Sequence, residues 1–196
     1  MHLNETEDSQ NCSCCLTKKE REYVAGLRNR FVKMRKFLKT CKIERCNIDD
    51  LFANLTHFCT ISGNLHNSKS FGACLLAKRY LLTRFKFEDL DIAAKAQGAN
   101  GFDVDEKTKR QKRIIAQIKT TIPYCANKLG SNQLDAFKKD FRKLSAAKAD
   151  KKYFFVTNKK TNEYIKKAFC GYTSITVVLL KYNVPSHPNT DRVSTK

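Results

Sequence analysis

From Tyr23 onward the apolar residues recur at three- and four-residue spacing: Tyr23, Val24, Leu27, Phe31, Met34, Leu38 and Cys41. This spacing lines them along one side of an α-helix. The four residues Thr17-Lys18-Lys19-Glu20 have the pattern of a capping box and announce its start. The other faces carry Arg21, Arg28, Arg30, Lys33, Arg35, Lys36, Lys39 and Lys42, so the helix is cationic outside. A second helix is predicted from Asn47, which can cap it, with Asp49 and Asp50 suited to its first turn. Its apolar positions are Ile48, Leu51, Phe52, Leu55 and Phe58. Residues 61–70, with Gly, Asn, His and Ser, read as a loop. A third helix is predicted from about Ser70, carrying Phe71, Cys74, Leu75, Leu81, Leu82 and Phe85, with a weak continuation or restart over 88–96 that Gly98-Ala99-Asn100-Gly101 ends.

A fourth helix is expected to open at Asp103 or Asp105, whose carboxylates suit a helix N-terminus, and to run through Ile114, Ile115 and Ile118 until Pro123 stops it. Ser131 or Asn132 opens a fifth, with Leu134, Phe137, Phe141 and Leu144 on one face. Beyond Asp150 the pattern changes. Residues 152–157 read as a strand, 172–182 are rich in β-branched residues, and 162–170 fit a short helix or a partner strand. The expected fold is therefore mostly α: about five amphipathic helices in one bundle-like domain, with a small β element near the C-terminus. Residues 1–16 read as an acidic, cysteine-bearing arm, 17–182 as the domain, and 183–196, with Pro185 and Pro188, as a frayed tail.

Charge adds what periodicity does not. Thirty-eight Lys and Arg against nineteen Asp and Glu leave the chain at +19. An excess of this size repels itself in the compact state and is relieved by bound polyanions, of which phosphate backbones are the densest. The expected function is nucleic-acid binding, RNA or DNA, chiefly through the backbone, with a viral regulatory or genome-associated role open to it. The sharpest local signal is the run 107–113, where Lys107, Lys109, Arg110, Lys112 and Arg113 supply five cations in seven residues. Arg28, Arg35, Lys36 and Lys39 of the first helix form a second cationic face. Lysine pairs also stand beside aromatic residues. Of these rings, Phe137, Phe141 and Phe154 are expected in the core, and Tyr153 and Tyr164 are the better candidates for exposed rings that stack on bases.

Other chemistry is thinner. Cys41, Cys46, His57 and Cys59 offer zinc-ligand types within a short span, but no Cys-x-x-Cys knuckle exists, so buried thiols are the expected state and no cofactor is expected. There is no phosphate-cradling glycine loop, no His-Glu-x-x-His and no Gly-x-Ser-x-Gly, so no enzyme is expected. The polar, acidic start and the lack of a bilayer-length apolar run point to an intracellular protein, nuclear or cytoplasmic, without a membrane span. Homo-oligomerisation is left open.

A different class is suggested by the run from Gly72-Ala73-Cys74-Leu75-Leu76 through Leu82, by Ile122-Pro123-Tyr124-Cys125, and by Leu134, Phe137, Phe141 and Leu144. Over about a third of the chain these segments resemble the later helices of the interleukin-10 family. The resemblance implies a secreted helical ligand with a Cys74–Cys125 disulfide and a receptor as partner. The family's further cysteine just before the position of Cys125 is not matched, Lys119 standing near there. A scaffold protein that only holds partners together is the third class.

Overall fold

The computed structural model describes residues 16–41, 48–95, 99–123 and 129–182. The predicted arm and tail, apart from residue 16, lie outside these. The predicted start of the first helix holds: α1 (Lys18–Thr40) begins at Thr17, whose hydroxyl accepts from Glu20 N while the Glu20 carboxylate accepts from Thr17 N. The second helix, α2 (Ile48–Ser62), runs back against it. Phe37 packs on His57 and Phe58 across this pair. The third helix, α3 (Leu65–Leu82), starts earlier than expected, within the predicted loop, because Asn64 caps it by accepting from Asn67 N. The weak helix expected over 88–96 is absent among the described residues, which turn there instead.

The largest correction concerns the fold class. The predicted fourth helix is a β-hairpin: β1 (Val104–Lys107) turns back into β2 (Arg113–Lys119), and the pair is antiparallel with Val104 opposite Ala116. Asp103 and Asp105 are not helix caps. Ile118 N donates to Asp103 across the hairpin, and Asp105 pairs with Arg113. The chain then repeats a strand–helix–strand unit through α4 (Ser131–Ala146), β3 (Lys151–Val156), α5 (Lys159–Ala168) and β4 (Ile175–Leu179). Both steps return parallel, so the sheet is mixed, in the order β1-β2-β3-β4. The segment 162–170, ambiguous in sequence, is mostly helix. The protein is thus an α/β fold built on a four-stranded sheet, not a mostly-α bundle with a β appendage.

Two successive crossovers in one direction and of one hand place their helices on the same sheet face. Ile115, Phe154, Val156 and Ile175 of that face meet Phe137, Phe141 and Leu144 of α4 and Ile165 of α5. Phe141 stacks between Phe154 and Phe169, at 4.5 and 4.4 Å. The opposite face, through Ile114, Ala116, Tyr153 and Phe155, packs on Ala77 and Leu81 of α3 and on Phe87 and Leu90. Helices therefore cover both faces, and this explains the consecutive apolar residues Ile114-Ile115-Ala116 in β2 and Tyr153-Phe154-Phe155-Val156 in β3. Tyr153, expected as an exposed ring, is buried there beside Tyr80 and Phe85. Among the described residues no helix is long and apolar enough to cross a membrane.

Candidate functional site

One group of polar residues gathers at the corner of the sheet where the chain enters β1 and leaves β2. One step before the Val104–Ala116 pair, Asp103 comes level with Gln117, and strand alternation puts Lys119 on the same side as Gln117. The Oδ2 of Asp103 accepts from Ile118 N at 2.7 Å. Gln117, almost fully buried, donates through Nε2 to Gly101 O at 3.1 Å. The ammonium of Lys119 lies 2.7 Å from Oδ2 of Asp140, an α4 residue, and both side chains are only partly exposed. Two more lysines converge on the entering strand: Lys95 donates to Phe102 O at 2.6 Å and Lys143 to Gly101 O.

Gly101 makes this corner feasible. Its φ of +117° lies in a region that side chains avoid, and a Cβ there would stand 2.6 Å from Nζ of Lys95. Gly101→Ala is expected to cost about 1–3 kcal/mol. Lys95 can swing away, so the backbone carries most of that cost, and urea unfolding should register it as a lower midpoint at unchanged slope.

The charges at the corner act on one another. Asp103 is raised above the usual carboxylate range, first because its neighbours strip water from it. The Ile118 N–H, Lys119 and Lys95 pull it back down, and Asp140 adds to the rise. The Cys74 thiol is pushed up to about 12 by burial, with the charge of Asp103 adding to it, so this thiol stays protonated and is a poor nucleophile. Asp103 itself keeps an exposed surface. A ligand can therefore reach the Asp103 carboxylate, and the partly exposed ammonium of Lys119 stands near it. Among the described residues no three of His, Cys, Asp and Glu are grouped to hold a metal ion. A zinc-type cage is thus not built here. The oxygen donors of Asp103 and Gln117 suit a hard cation such as Mg²⁺, which takes one or two carboxylates and completes its shell with water and phosphate oxygens.

The residues predicted from sequence lie elsewhere. Lys107, Lys109, Arg110 and Lys112 stand exposed around the β1–β2 turn, at the far end of the hairpin from Asp103, roughly 20 Å away by strand length. They do not share a helix face. Gln111 has a φ of +59° in this turn, and Lys109 N donates to Lys86 O at 2.8 Å, which fastens the turn to the body. Arg113 is engaged in a two-pronged pair with Asp105, at 2.8 Å on each arm, and donates to Lys148 O. That pairing holds the Asp105 carboxyl below its ordinary range. Glu88, Asp89 and Glu106 line the same cleft as Lys107 and Arg113, so acids are interspersed on this side. Arg28, Arg35, Lys36 and Lys39 are exposed on α1. Of the metal and disulfide candidates, Cys46 and Cys125 lie outside the described residues. His57 and Cys59 are exposed on α2, and Cys41 and Cys74 are half-buried free thiols.

Sequence reasoning missed Asp103, Gln117, Lys119 and Asp140 as a group. The available signal was alternation: Asp103-Val104-Asp105 and Gln117-Ile118-Lys119 alternate polar with apolar on either side of a polar run. Read as a hairpin, that pattern brings residues fourteen and sixteen positions apart together. No family model, curated protein or solved structure matches the chain.

Proposed function

We propose that the protein binds nucleic acid and hydrolyses its phosphodiester backbone at the corner formed by Asp103, Gln117 and Lys119, with Mg²⁺ as the metal. The observation that carries this reading is the meeting of these three groups on adjacent strands in a chain of charge +19. A carboxylate, an amide and an ammonium on a sheet otherwise committed to apolar packing cost folding energy, and a ligand that needs all three accounts for them. This reading proposes an enzyme where the sequence alone led to the expectation of a non-enzymatic binder. The interleukin-like alternative loses its support, because the helices it relied on, α3 and α4, are separated by a sheet.

A bound Mg²⁺ would neutralise phosphate oxygens and lower the pKa of a coordinated water. Asp103 and Gln117 would hold it from one side, leaving the other side to the substrate. Lys119 would face the non-bridging oxygens that gain charge as water adds to phosphorus, and it would hold the attacking water by a hydrogen bond. The new P–O bond comes from that water, the bond to one sugar oxygen breaks, and solvent receives and returns the protons. Lys143 and Lys95 add positive potential at the same corner. The exposed hairpin turn, with Lys107, Lys109, Arg110 and Lys112, would follow the backbone farther along, helped by the cationic face of α1.

The test is incubation of the protein with labelled single- and double-stranded DNA and RNA, in Mg²⁺ and in chelator. Fragments that form only with the metal are expected; intact substrate of all four kinds in Mg²⁺ would refute cleavage. Binding is measured separately in chelator. Affinity should fall by about 10²-fold or more between 50 and 200 mM salt. Reversing Lys109, Arg110 and Lys112 to Glu should weaken binding at low salt and flatten the salt slope by roughly three. An unchanged slope would remove the hairpin turn from the interface, and weak, salt-insensitive binding would remove nucleic acid as the partner.

A further inference from the structure

We infer that the α1–α2 hairpin is a dimerisation element, packing on the same hairpin of a second copy of the chain. The base of α1 is fastened to the body, where Tyr23 lies against Phe71 and Glu20 is clamped by Lys78, and Leu27, Phe31 and Met34 border a cleft with Leu65, Ser68 and Lys69 of α3. Farther out α1 meets α2, and the outer surface of the pair is apolar yet open to solvent. Ile48 is 84% exposed, Phe52 72%, Phe31 64%, and Leu38 and Leu55 more than half. On α2 the exposed residues Ile48, Leu51, Phe52, Leu55 and Cys59 fall at intervals of three, one, three and four, the spacing of a helix-packing seam. Phe31 and Leu38, seven apart, form a matching row on α1. The antiparallel sense of the pair turns both rows toward the same side of the hairpin.

This surface is more than scattered exposure. Its six large side chains expose on the order of 700 Å² of apolar area, close to what one partner contributes to a stable interface. Monomers rarely leave so large a contiguous patch uncovered.

Charge identifies the occupant. Between residues 28 and 39, α1 carries Arg28, Arg30, Lys33, Arg35, Lys36 and Lys39 and no acid. The α2 sequence carries Asp49 and Asp50 and neither Lys nor Arg. The two helices of one hairpin are thus opposite in sign. A twofold pairing sets α1 of each copy on α2 of the other, which brings cations to carboxylates twice while both apolar rows are covered. An anionic bilayer would meet the cations of α1 but also the carboxylates of α2, and no basic residue of α2 flanks its stripe. Four helices brought together in this way make a bundle, the arrangement amphipathic hairpins adopt when their seams are buried.

The experiment is sedimentation equilibrium of the full chain, in reducing agent so that its nine cysteines cannot cross-link copies. A dimer is expected at micromolar concentration, the range an interface of this size commonly supports. Phe52→Glu with Leu55→Glu should give a monomer of unchanged circular dichroism, since both side chains already face water. Asp49→Lys with Asp50→Lys should weaken the dimer by about tenfold, and adding Arg35→Glu and Lys39→Glu to that variant should recover most of the loss. Three results would overturn the proposal: a monomer at roughly 100 µM, well above that range; a dimer indifferent to Phe52 and Leu55; or a monomeric protein whose apolar surface binds vesicles of phosphatidylserine and phosphatidylcholine and loses them with the same two substitutions.

Discussion

Lys119→Ala is expected to lower the rate of phosphodiester cleavage by about 10²–10³-fold while affinity for intact substrate in chelator drops only slightly. The asymmetry follows from where the charge acts. One lysine among thirty-eight cationic residues contributes little to total counterion release, but this one stands beside the carboxylate proposed to hold the metal. Asp103→Asn should be equally damaging, by loss of metal affinity, and a tenfold rise in Mg²⁺ should restore part of the rate for Asp103→Asn and none for Lys119→Ala. The pH dependence separates the two as well. The carboxyl of Asp103 must be ionised to hold the metal, and its folded-state pKa lies above the ordinary 3.8. At subsaturating Mg²⁺, where proton and metal compete for this carboxyl, activity in the wild type should therefore fall on acidification earlier than an ordinary aspartate would cause. Stability runs the other way. An acid whose folded pKa is raised binds its proton more tightly when folded, so stability declines as pH climbs from 3.8 through the folded value and stays lower beyond it. Asp103→Asn removes that burden at neutral pH and keeps an acceptor for Ile118 N. Its melting temperature should equal or exceed the wild type by up to about 4 °C, the trade that active sites make between stability and function. Single-turnover rates and calorimetry on the same preparations decide it: a variant that cleaves normally, or one that is inactive only because it melts early, sinks the assignment.

How much of this was legible in the sequence depended on whether one period could be told from another. The first helix announced itself twice, by the capping box at Thr17 and Glu20 and by its apolar stripe, and both are present. Within that stripe, however, Phe31 and Leu38 face water. Hydrophobicity alone does not say whether the surface that covers a stripe belongs to the same chain. The segment 103–119 misled because a strand buried on both faces has no alternation in its middle. Ile114, Ile115 and Ile118 fit a helix stripe as well as a central strand. What should have tilted the balance was β-branching and the polar run between two short alternating stretches. The candidate site fell with that misreading, since Asp103 and Lys119 are neighbours only across a hairpin. The cation run 107–113 was visible in the sequence, but not its conversion into a turn, nor the capture of Arg113 by Asp105. Phe137 and Phe141 were read as core and are. Their environment was a sheet rather than other helices.

Glu20→Ala should destabilise the protein by about 3–5 kcal/mol, enough to threaten folding in a domain of ordinary stability. Glu20 is fully buried, and its carboxylate accepts four hydrogen bonds from three donor groups. Lys78 Nζ reaches both oxygens, at 2.9 and 2.7 Å, Ile92 N donates at 3.0 Å and Thr17 N at 2.9 Å. Removing the carboxylate strands an ammonium with 5% exposure and two amide groups. The pair itself is a weak source of net stability, because both charges were taken from water to make it. Lys78→Met should therefore cost less than Glu20→Ala, since the carboxylate retains the two backbone donors, and Glu20→Gln with Lys78→Met should recover most of the loss. What the clamp provides is position. It joins the first turn of α1 to α3 and to the chain at Ile92, and Thr17 Oγ1 adds a bond to Asp91 at 3.1 Å. From there the backbone leads to Lys95 and on to Gly101, so the same clamp that roots the helical hairpin also steadies the segment that brings Lys95 to the candidate site. Urea titration of the three variants measures the energies. Hydrogen exchange tests the placement: faster exchange confined to the base of α1 and residues 91–95 is expected in Lys78→Met, and uniform loosening of the sheet would show that the pair supports the whole core instead.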